Sequence, residues 1–125
     1  IDMGEITDIT KEESIATFIA GIVRSVRFGH ASSHGKANMM CYNYMEEHGA
    51  FSRDAEGRYV IDFGKAPEVI NGWAALILET QATGNFEFAQ KYSSEHADIK
   101  DALASDIEKV NGAGIPRDIV FEYNW

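Results

Sequence analysis

Between Thr10 and Phe28 apolar side chains recur at Ile15, Phe18, Ile19, Ile22, Val23 and Val26, which is the spacing of one helix face. Thr10 followed three residues later by Glu13 has the form of a capping box, in which a hydroxyl and a carboxylate satisfy opposing orphan amides. Arg24 and Arg27 fall in the last turn, where positive charge suits the negative helix end. A small, polar stretch from Gly29 to Gly35 leads into Ala37, Met40, Cys41, Tyr44 and Met45, again at helical spacing. A second helix is expected from about Ser32 to His48, with Gly35 weakening its first turn by up to about 1 kcal/mol and Gly49 closing it.

The period then changes. Phe51 to Asp62 reads as a hairpin around a glycine-containing loop. Pro67, at a first helical position, opens a third helix with Val69, Trp73, Leu76, Ile77 and Thr80 facing inward and Gly84 at its end. Asn85 can cap a fourth helix carrying Phe88, Ala89 and Tyr92. A fifth has Ile99, Ala102, Leu103, Ile107 and Val110 on one side and stops at Asn111-Gly112. After Pro116, apolar Ile119, Phe121, Tyr123 and Trp125 alternate with Asp118, Glu122 and Asn124, the period of a strand that could join the hairpin. The expected fold is mainly α and borders on α+β: a bundle of about five helices with a small antiparallel hairpin and a C-terminal strand.

Length and charge narrow the functions open to such a bundle. The chain of 125 residues is one domain's worth, enough for a core but short for a complete multi-step enzyme. Its net charge of −9 and scattered basic residues argue against nucleic acid as a partner. The longest apolar run, Ile15 to Val23, is about half of the roughly 20 residues a membrane span needs. One cysteine, Cys41, excludes an internal disulfide framework and fits a reducing compartment, so a soluble, cytoplasmic protein is expected. The chain opens on Ile1 without an initiator methionine, and residues 1–125 are expected to be a single domain excised from a longer protein.

The candidate chemistry sits at the start of the second helix. His30 and His34 are four apart, so both rings would share a side if both lay on the helix. Such a pair can hold a metal, yet zinc needs a third protein ligand and none is at hand, so no metal site is expected in this chain. Ser32, Ser33 and Asn38 add hydrogen-bonding groups to the same ridge, and polar groups on an otherwise apolar helix suggest a ligand-facing edge. An imidazole there can donate to a developing oxyanion. The plainer alternative is one histidine bonded locally and the other at the surface. Cys41 reads as a buried structural thiol rather than a nucleophile. The pairs Glu12/Glu13 and Glu46/Glu47 read as solvated faces.

The stretch Arg27-Phe28-Gly29-His30-Ala31-Ser32-Ser33-His34-Gly35-Lys36-Ala37-Asn38-Met39, followed by Glu47-His48-Gly49-Ala50-Phe51, resembles the C-terminal region of bacterial dipeptidyl peptidase III-like zinc peptidases. Ala75 to Glu79 and Gly114 to Phe121 fit the same region. The resemblance implies an enzyme that releases dipeptides from the amino end of short peptides. It implies a zinc ion held by motifs upstream of this segment, in a zinc-bearing domain that would be this chain's partner; the cofactor belongs to the parent enzyme and not to this fragment. It also implies a histidine outside the zinc site that contacts substrate and stabilises the tetrahedral intermediate, and the matching position is His34. Eukaryotic members carry an arginine four residues on; Asn38 stands there and keeps a substrate contact in prospect. His30, Ser33 and Arg27 are further substrate-binding candidates. The isolated chain is expected to be inactive, and a homodimer of the fragment is a possible way to cover surfaces its neighbours would bury. The rival expectation is a stand-alone helical interaction module with no catalytic role.

Overall fold

In the computed structural model, which describes residue 4 and residues 6–115, Thr10 starts the first helix as its sequence suggests. Its hydroxyl accepts from the Glu13 amide at 3.1 Å, while the Glu13 carboxylate accepts from the Thr10 amide at 2.7 Å. Helix α1 (Lys11–Arg27) buries Ile19, Ile22 and Val26. Helix α2 (Ser33–Glu47) follows, and Gly49 ends it in the left-handed conformation at φ +76°, which lets the Ala50 amide reach back to the Met45 carbonyl at 2.8 Å.

The hairpin is β1 (Phe51–Arg53) and β2 (Tyr59–Ile61), antiparallel, with Phe51 opposite Ile61 and Arg53 opposite Tyr59. Asp54 builds the loop. Its carboxylate accepts from the amides of Glu56 and Arg58, and Gly57 turns the chain at φ +78°. Helix α3 (Ala66–Thr83) begins one residue before Pro67, so the proline occupies the second helical position, where its missing amide is still no loss. Gly84, at φ +62°, closes α3, and the Asn85 side chain caps α4 (Phe86–His96) by accepting from the Phe88 amide at 3.1 Å. Helix α5 is Asp101–Gly112.

Among the described residues, five helices and one two-stranded sheet make the fold mainly α, as expected. The C-terminal strand expected over Ile119 to Trp125 lies outside the described residues. Helix α2 is central: it touches α1, α3, α4 and β1, and it contributes Met39, Tyr42 and Met45, all but sealed from water. Gly72 of α3 leaves room for Tyr44 of α2, since a Cβ there would meet the Tyr44 hydroxyl at 2.7 Å. The inward face expected for α3 holds at Val69 and, half-buried, at Trp73, Leu76 and Thr80, but Ile77 is exposed. Helix α4 buries no residue, and Leu78 of α3 and Phe86 of α4 stand 64% and 73% exposed. No described helix is long and apolar enough to cross a membrane.

Candidate functional site

The first turn of α2 is held by the loop in front of it. Gly29, at φ +122°, turns the chain after α1, and the Ser32 hydroxyl caps α2 by accepting from the Gly35 amide at 3.1 Å. Gly35 is buried, and a Cβ on it would lie 2.2 Å from the Gly29 carbonyl oxygen and 2.7 Å from the His30 Cα. Only a hydrogen fits there. The glycine that weakens the helix on propensity grounds is therefore what lets residues 29–30 rest on it.

This arrangement separates the two histidines. His30 precedes the cap at Ser32, so the shared face that two histidines on one helix would have does not arise, and α2 starts at Ser32 as its sequence suggests. His30 is half-buried against the first turn, whereas His34 is on the helix and exposed. Asn38 follows one turn later, half-buried and on the same face as His34. Ser33 is exposed beside them. Among the described residues no hydrogen bond or ion pair engages the His34 ring. Lys36, two residues on, borders an open depression of about 530 Å³ together with Phe86, Gln90 and Ser93 of α4.

Arg27 faces a different way. Its Nε donates to the Asn111 side chain at 2.9 Å and its Nη2 donates to the Ile115 carbonyl, so it braces the ends of α1 and α5 against each other. It also borders a groove of about 390 Å³ between α1, β2 and α5 that includes none of His30, Ser33, His34 or Asn38. Cys41 is buried, and burial pushes its thiol up to about 11, which leaves it protonated and unreactive at neutral pH. Among the described residues no three His, Cys, Asp or Glu side chains gather as a metal would require.

A second polar cluster escaped the sequence pattern. Arg53 of β1 pairs with Glu46 of α2 and with Asp106 of α5, the latter at 2.9 Å, and donates to the hydroxyls of Tyr42 and Tyr59 at 2.7 and 3.0 Å. Burial opposes the charge on Arg53, but its hydrogen bonds to Asp106 and Glu46 prevail and raise its pKa above the ordinary value. Burial likewise opposes the charge on Asp106, but hydrogen bonds from Arg53 and Tyr59 hold its carboxyl below the ordinary carboxylate range. Glu46 is thus half-buried in a network rather than part of a solvated face. Glu47 accepts from Lys100 at 2.7 Å. A period-two reading of the hairpin contains the signal: Phe51 is buried, so Arg53, two residues on, points the same way.

The whole arrangement can be set beside known structures. The structure of dipeptidyl-peptidase III from Caldithrix abyssi matches 95% of this chain with a TM-score of 0.84 and 28% sequence identity. That of dipeptidyl-peptidase III from Corallococcus sp. strain EGB matches the same share with a TM-score of 0.87 and 24% identity, a likeness of fold alone. This chain has the fold of a part of dipeptidyl-peptidase III. It spans 22% of either structure, consistent with a C-terminal region of dipeptidyl-peptidase III. A curated protein, Nudix hydrolase 3 of Arabidopsis thaliana, is 29% identical over 119 residues, which are 95% of this chain and 15% of that protein. No protein-family model matches the chain.

Proposed function

We propose that this chain forms one wall of the substrate cleft of a zinc-dependent dipeptidyl peptidase, and that His34 on that wall stabilises the oxyanion of the reaction. The observation that carries the reading is the exposed imidazole of His34 on a first turn fixed by Gly35 and Ser32, with Asn38 on the same face. The likeness to dipeptidyl-peptidase III supports it. Because the described residues of this chain offer no zinc ligand set, metal binding and the activation of water fall to the rest of the enzyme.

What this chain's residues can do follows from their chemistry. A ring N–H of His34 donates to the carbonyl oxygen of the scissile bond as negative charge grows on it, an effect worth about 2–4 kcal/mol when one such donor is removed. The Asn38 amide can donate to a peptide carbonyl one turn along, and Ser33 and His30 extend the polar edge. Arg27 is the weakest of the substrate contacts, because a peptide would have to replace the bonds it makes to Asn111 and Ile115.

His34→Ala in the parent enzyme is expected to lower turnover at least about tenfold, with zinc content by atomic absorption unchanged. Equal turnover in the variant rejects the role. The reading of the chain as a stand-alone interaction module rests on the exposed Leu78 and Phe86; it prevails if the gene encodes no zinc-binding helix ahead of this segment.

A further inference from the structure

Lys36 and Asp98, of opposite charge, border the same depression between α2 and α4. The other charged groups near the close of α4 have partners. Glu47 accepts from Lys100 at 2.7 Å and faces His96, and Lys91 lies 4.0 Å from Glu95. Among the described residues the side chains of Lys36 and Asp98 make no hydrogen bond or ion pair, with each other or with any neighbour. Two opposite charges held apart at one concave surface suit a ligand that carries both signs.

The backbone beneath them is fixed. Asn43 of α2, 1% exposed, donates to the carbonyls of His96 at 2.8 Å and of Asp98 at 3.1 Å, which clamps the chain after α4 onto α2. Lys36 lies seven residues before Asn43, so the two anchors stand about 10 Å apart along α2 at about 1.5 Å per residue. An extended dipeptide covers about 7 Å of that distance, and the flexible lysine stem closes the rest. A single amino acid is too short. Gln90 and Ser93 line the same depression and offer an amide and a hydroxyl to a peptide bond. Phe86 opens α4, at the far end from Asp98, and its ring is exposed for an apolar side chain next to the carboxylate. Two residues on from His34, Lys36 points about 200° around the helix, so this depression lies away from the His34 face.

We propose that the depression between α2 and α4 binds a short zwitterionic peptide, with its carboxylate on Lys36 and its ammonium on Asp98. The site does not require the peptidase reading; where that reading also holds, the ligand has the chemistry of a released dipeptide, bound at a second place. Titration of the isotope-labelled 125-residue chain with alanyl-phenylalanine, followed by NMR, tests it. Saturable shifts are expected at the amides of Lys36, Gln90, Ser93 and Asp98. Amidating the carboxylate or acetylating the amine should each weaken binding about threefold or more, the size that an exposed ion pair allows. Lys36→Gln should bind the free and the amidated dipeptide alike while still preferring a free amine, and Asp98→Asn should do the reverse. Both positions are exposed, so the amides of the α2 core should keep their shifts in either variant. Absence of saturable shifts at these amides overturns the proposal, as do equal binding of free and capped peptides and variants that keep both preferences. Phenylalanine binding as tightly as the dipeptide also overturns it, since the site would then read a single amino acid.

Discussion

At the scale of single residues, Gly35 and Cys41 are the positions whose surroundings dictate most. Alanine is normally the better helix former by about 1 kcal/mol. At Gly35, however, the new methyl would stand 2.2 Å from the Gly29 carbonyl, a backbone atom that cannot swing aside. Gly35→Ala is therefore expected to destabilise the chain, by about 1–3 kcal/mol as overpacking does, and urea unfolding followed by circular dichroism measures it. A gain in stability would mean that the loop over the first turn is not held as described. Cys41 is expected to resist alkylation by iodoacetamide at pH 8 while the chain is folded and to react once urea is added, with mass spectrometry counting the adducts. Reaction at equal rates in both states would contradict its burial.

At the scale of elements, the hairpin is held by chemistry as much as by packing. A two-stranded ribbon is marginal alone, and here Phe51 and the Arg53 network fasten it to α2 and α5. Arg53→Ala removes the shared partner of Glu46 and Asp106, whose side chains are 23% and 17% exposed. Breaking a fully buried pair costs about 3–5 kcal/mol, and partial solvent access should reduce this to about 2 kcal/mol. A denaturant midpoint unchanged in the variant would show the network to be ornamental. The helix ends were readable in advance because caps are local: Thr10 with Glu13, Gly49, Gly84 and Asn85 each act within a few residues. The Arg53 cluster was not, since it joins four elements and residues as far apart in sequence as Tyr42 and Asp106. The start of α2 was legible in the same way as the other helix ends, since Ser32 is a local cap, whereas the packing of residues 29–30 onto Gly35 was not.

At the scale of the whole molecule, the buried ionisable groups set how stability varies with pH. The folded state depresses the pKa of Asp106, so its contribution is complete above the ordinary carboxylate value of about 3.9 and is lost as pH falls through the lower folded value. Burial, with Tyr59 adding to it, raises the pKa of Tyr42, and burial raises that of Cys41. Their contributions are complete below the unfolded values and drain away as pH rises, for Cys41 between about 9 and about 11. The melting temperature is thus expected to be flat through neutrality, to fall below about pH 4 and to fall again above about pH 9. Asp106→Asn should flatten the acid limb and Cys41→Ala should move the alkaline onset upward; unchanged limbs in both variants would assign the pH response to other groups.

The position of His34 on the helix that α1, α3, α4 and β1 pack against has a consequence for how a peptide would meet it. Because the core side chains of α2 and His34 share one helix backbone, the Cα of His34 cannot shift without disturbing Met39 and Tyr42, and only its exposed ring is free to turn. A ligand arriving at this surface would find a preset anvil, and any adjustment of fit would have to come from whatever closes on it.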